Sequence, residues 1–125
     1  MTIPERRRLP LVDREVLLQL ERQLDNPPAV KSFVLDFIQL WDERYLRLST
    51  AVECRSDVSA MDAVLSIKTA SSMVGAARLA QLASGLEDLI RAYEFDEVAA
   101  MLPRLNACAS RTISELNLGY AANAD

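Results

Sequence analysis

The residues that interrupt helices fall at wide intervals along this chain: Pro4 and Pro10, the pair Pro27-Pro28, Gly75 and Gly85, then Pro103 and Gly119. Between them the apolar residues recur at helical spacing, and no segment alternates with period two. The chain is therefore read as all-α. Asp13 is a candidate N-cap for a short first helix carrying Val16, Leu17, Leu20 and Leu24, which Asp25-Asn26-Pro27 ends. A second helix follows Pro28 into the fifties, with Val30, Phe33, Val34, Phe37, Leu40, Trp41, Leu48 and Val52 as its apolar stripe. Ser56 or Asp57 caps a third that runs to about Gly75, and Leu79, Leu82, Leu86 and Leu89 mark a fourth reaching about Tyr93. A fifth starts near Asp96 and carries Val98, Leu102, Leu105, Cys108, Ile113 and Leu116, with Pro103 expected to kink it or divide it in two. Four long amphipathic helices with short connections predict an up-down antiparallel four-helix bundle, with the short extra N-terminal helix across one end. Residues 13–118 form that bundle in this reading. Residues 1–12 are read as a flexible N-terminal segment and 119–125 as a flexible tail.

Composition removes most chemistry. The 125 residues include 14 Lys+Arg, 18 Asp+Glu and no histidine, for a net charge of −4. Without imidazole there is no Ser-His-Asp or Cys-His dyad, no His-containing metal site and no Glu-x-x-His di-iron pair, so no enzyme activity, cofactor or metal is expected. Mild acidity argues against a nucleic-acid partner, since the one basic run is Arg6, Arg7 and Arg8. That run is not followed by an apolar export segment, because Asp13, Arg14 and Glu15 interrupt it, and no stretch is apolar enough to span a membrane. A cytoplasmic protein is expected. Cys54 and Cys108 are read as small buried hydrophobes, and Trp41 as a core residue. Glu87, Asp88, Asp96 and Glu97 read as an acidic cluster that caps helices and aids solubility.

The third helix has two contrasting faces. Ala60, Ala63, Val64, Ile67, Ala70, Ser71 and Val74 share the side read as core, and their small size lets the helix pack closely. Leu65 points roughly 150° away, among Val58, Met61, Asp62, Thr69, Ser72 and Met73. A lone surface leucine needs no explanation; Val58, Met61, Leu65 and Met73 together would make an apolar docking patch.

The stretch Leu65-Ser66-Ile67-Lys68-Thr69-Ala70-Ser71-Ser72-Met73-Val74-Gly75-Ala76-Ala77-Arg78-Leu79 resembles the signature of histidine-containing phosphotransfer (HPt) domains, His-x-Leu-Lys-Gly-Ser-Ser followed after three residues by Gly-Ala and then Leu. The resemblance spans roughly residues 11 to 118, and it implies an HPt-like helical bundle acting in two-component phosphorelay, whose partners are response-regulator receiver domains and histidine kinases. It implies that Lys68 stands for the lysine beside the phosphohistidine, that Gly75 and Ala76 match the helix-ending pair, and that Leu79, Leu82 and Leu86 match packing positions of the next helix. Two positions depart from the pattern. Leu65 takes the place of the phosphorylated histidine, and Thr69 that of the small glycine by which a receiver approaches.

Phosphoryl relay needs a neutral imidazole nitrogen that attacks an aspartyl phosphate and stores the group. A hydrocarbon side chain cannot do so. The expectation is therefore a pseudo-HPt protein that binds a receiver or kinase domain through Val58, Met61, Leu65, Lys68, Thr69 and Ser72 without carrying a phosphoryl group. Two alternatives compete with it: a homodimer closed over the Leu65 face, and a phosphorelay intermediate using another acceptor, of which Asp62 is the nearest to Leu65.

Overall fold

The computed structural model describes residues 9–25 and 27–121, so the expectations for residues 1–8 and 122–125 lie outside the described residues. All described regular structure is helical: α1 (Arg14–Leu24), α2 (Pro27–Glu53), α3 (Asp57–Met73), α4 (Ala77–Arg91) and α5 (Phe95–Leu116), with a π-helical turn over Asn117–Ala121 extending α5. Asp13 caps α1, its side chain accepting from the Glu15 amide at 3.1 Å, and Asp25 ends the helix in the left-handed conformation. Ser56 caps α3 by accepting from the Ser59 amide.

Around the core, α2 packs on α3, α3 on α4, α4 on α5 and α5 back on α2, while α1 lies against α2. Leu17, Val34, Phe37, Trp41, Leu48, Val64, Ile67, Leu79, Leu86, Ile90, Leu105 and Leu116 are buried within it. The small core-facing residues of α3 carry the reading made of them. Ala60, Ala63, Val64, Ile67 and Ser71 are buried, and α3 packs on both α2 and α4. Trp41 is buried beneath Tyr45, its ring 6.0 Å away and stacked, and its indole N–H donates to Asn106 Oδ1 of α5 at 2.9 Å.

One expectation needs correcting. Cys108 is buried but Cys54 is exposed, because α2 ends at Glu53 and Cys54 falls in the turn, where its amide still donates to Thr50 O and its side chain leaves the core. Of the two outcomes expected at Pro103 the division does not occur: α5 runs through it, with the proline on the exposed side of the helix. In residues 9–13, Val12 is buried, Leu9 O and Pro10 O accept from the Arg78 side chain and amide, and Asp13 N donates to Gly75 O at 2.6 Å.

That last bond ties the start of α1 to the α3–α4 turn. Gly75 has φ +76°, and a Cβ placed there would meet Asp13 O at 2.5 Å, so the turn needs glycine both for its backbone conformation and for its close neighbour. Among the described residues no helix is long and apolar enough to cross a membrane.

Candidate functional site

On the solvent side of α3, Leu65 is 40% exposed, with Val58, Thr69, Ser72 and Met73 also exposed. Helical spacing puts these positions along one side, and the core residues Val64 and Ile67 turn the opposite way. Leu65 stands between two concavities and contributes to both. One, of about 510 Å³, runs between α2 and α3 and is bordered by Phe33, Leu40, Leu65, Thr69 and Met73. The other, of about 480 Å³, lies between the first half of α3 and the end of α4, bordered by Val58, Met61, Leu65, Ile90 and Tyr93. Their walls are mainly hydrocarbon, with Asp36, Arg44, Asp57, Asp62 and Arg91 at intervals.

The six residues expected to form one surface separate into groups. Val58, Met61 and Leu65 share the second concavity, and Leu65 and Thr69 share the first. Met61 is half-buried and packs against the core, so it forms a wall of the patch rather than its summit. Ser72 borders a different hollow, with Leu9, Val16 and Gly75. Lys68 turns toward α4, and its Nζ reaches Glu87 Oε1 at 2.8 Å.

Glu87 is the correction to the acidic cluster. It is buried, one carboxylate oxygen accepting from Lys68 and the other from Arg91 at 2.8 Å, while Asp88 and Asp96 stay exposed and pair with Arg91 and Arg55. Its pKa is held below the ordinary carboxylate value, first by the Lys68 hydrogen bond and then by the Arg91 one, against a smaller opposing effect of desolvation. Lys68 is thereby engaged within the fold. At the far end, Tyr93 Oη donates to Asp57 Oδ2 at 3.0 Å, and that hydrogen bond to a carboxylate raises the phenol's pKa.

Phe33 and Leu40 belong to the apolar stripe that the sequence predicts for α2, yet both are exposed and border the first concavity. Their positions lie roughly 60–100° around α2 from Val30, Leu48 and Trp41, so the apolar arc is wider than one core contact needs. That width was the available signal. Among the described residues no three His, Cys, Asp or Glu side chains gather as metal ligands.

No protein-family model matches the sequence, and no curated protein matches it. A solved structure does: histidine-containing phosphotransfer protein B (HptB) from Pseudomonas aeruginosa PAO1 superposes with a TM-score of 0.82 over 92% of this chain and 98% of that one, at 20% sequence identity. The fold is HPt-like. At that identity the likeness concerns the path of the helices, and it agrees with the fold implied by the Leu65–Leu79 resemblance.

Proposed function

We propose that this chain is a pseudo-phosphotransfer protein. It uses an HPt-like up-down antiparallel bundle to bind a response-regulator receiver domain or a histidine kinase in the cytoplasm, through the outer face of α3, and it carries no phosphoryl group. The observation that supports this most is Leu65, an exposed leucine between two largely apolar concavities on an HPt-like fold whose chain contains no histidine. A surface built around imidazole chemistry would be polar at its centre; this one is hydrocarbon and suits persistent binding. Lys68 supports the same reading, since its ammonium is held by Glu87 rather than presented to a phosphoryl group. Val58, Met61, Leu65 and Thr69 make the contact in this proposal, with Lys68 and Ser72 at its edges.

The test is an NMR titration of the chain against receiver and kinase domains encoded in the same genome, with Leu65→Asp as control. Saturable shifts at Met61, Leu65, Lys68 and Thr69 are expected, lost in Leu65→Asp while its folding stability changes by no more than about 1 kcal/mol. A phosphorylated receiver should leave no label on the chain. Label on any residue, or silence from every domain tried, overturns the proposal.

A further inference from the structure

The α4–α5 side carries a concavity of another kind. It encloses about 370 Å³ and is bordered by Arg78, Gln81 and Leu82 of α4 and by Arg104, Ala107 and Arg111 of α5. None of these residues borders either hollow beside Leu65.

Three arginines thus border one groove whose lining residues include no carboxylate, in a chain of net charge −4. Elsewhere among the described residues Arg22, Arg47, Arg55 and Arg91 each lie within ion-pair distance of an Asp or Glu, whereas Arg14 and Arg44, away from the groove, do not. Among the described residues, no carboxylate lies at that distance from Arg78, Arg104 or Arg111. The sequence explains the difference. One turn to either side of Arg78 and Arg104 stand Val74, Gly75, Gln81, Leu82, Ala100, Met101, Ala107 and Cys108, none of them acidic. Arg111 has Glu115 one turn on, and the two do not pair.

Arg78 is also held in place. Its Nε donates to Leu9 O at 2.9 Å, which fixes the plane of the guanidinium and leaves its terminal N–H groups without a hydrogen bond among the described residues. Like charges gathered in this way repel, and an anion between them removes the repulsion. Guanidinium forks match the oxygens of a phosphate in pairs, and Leu82 and Ala107 offer an apolar wall beside the charges. The volume is within the range of small-molecule sites and well above what a bare phosphate fills.

We propose that the α4–α5 groove binds a small molecule bearing a phosphate group on an organic body, with Arg78, Arg104 and Arg111 as the anion ligands. The site does not depend on the reading of Leu65. The test is an amide and arginine-Nε NMR titration of the full chain with ATP and with inorganic pyrophosphate as probes. ATP should give saturable shifts at Gln81, Leu82, Ala107 and Arg111. Arg104→Gln and Arg111→Gln should each weaken binding about tenfold, and Arg47→Gln on α2 should leave it unchanged. If pyrophosphate saturates the same signals, the phosphoryl oxygens suffice; if ATP alone does, the organic body contributes, and either result supports the site. Shifts that do not saturate with either probe, that ignore Arg104→Gln, or that centre on Leu65 overturn it. Binding to phosphatidylglycerol vesicles with neither probe bound also overturns it, in favour of a membrane surface.

Discussion

At Glu87 the two carboxylate oxygens are divided between two cations, Lys68 from α3 and Arg91 from the next turn of α4. Because the folded pKa is depressed below the ordinary 4.5, the contribution to stability is complete above that value and lost as pH falls through the folded pKa. Glu87→Gln should therefore lower the Tm at pH 7. The difference from the parent should shrink as pH falls below about 4.5 and disappear once the parent carboxylate is protonated. A difference that stays constant down to pH 2, followed by thermal unfolding, would show that lost packing and not charge is responsible. Ser71, also on α3, is a simpler case: it is buried and its hydroxyl has no partner among the described residues. Ser71→Ala removes that uncompensated polar group and improves helix propensity, so a gain of about 1 kcal/mol is expected in urea unfolding. The burial of Ser71 follows from its place on the core side of α3, but the ion pair at Glu87 was not legible in the sequence. Lys68 and Glu87 are 19 residues apart, and only the packing of α3 on α4 makes them neighbours.

Among the elements, the helices themselves were legible because their apolar periodicity reports burial directly. Leu17, Val34, Trp41, Val64, Leu86 and Leu105 all face the core as their spacing required. Ends were less legible than middles, and Cys54 shows why: one residue beyond the last turn of α2, the helical direction no longer governs its side chain. Two glycines that look alike in sequence also differ in structure. At Gly75 a Cβ would strike Asp13 O, and the backbone is left-handed; at Gly85, exposed inside α4, a Cβ would meet nothing within 4 Å. Gly75→Ala should cost on the order of 1–3 kcal/mol, through backbone strain and displacement of the α1 lead-in. Gly85→Ala should add about 0.5–1 kcal/mol by reducing the entropy of the unfolded chain. Chemical denaturation of both variants checks the pair, and two changes of the same sign would contradict the turn geometry described for Gly75.

For the whole molecule, the surface around Leu65 bears on whether the chain pairs with itself. A twofold axis through Leu65 would bring each Asp62, one turn away on the same exposed side, toward its counterpart in the second copy. Asp36 and Asp57 add negative charge around the same hollows, and Lys68 and Arg91 are already engaged by Glu87, which leaves Arg44 as the cation bordering those hollows that is in no ion pair among the described residues. A partner carrying its own cations opposite Asp62 meets no such obstacle. The 13.9 kDa chain should therefore sediment as a monomer over about a hundredfold range of concentration, and Leu65→Asp should not change that. A dimer that forms with rising concentration, and that Leu65→Asp dissolves, would assign the α3 face to self-association, since a dimer closed over Leu65 leaves no room there for a receiver.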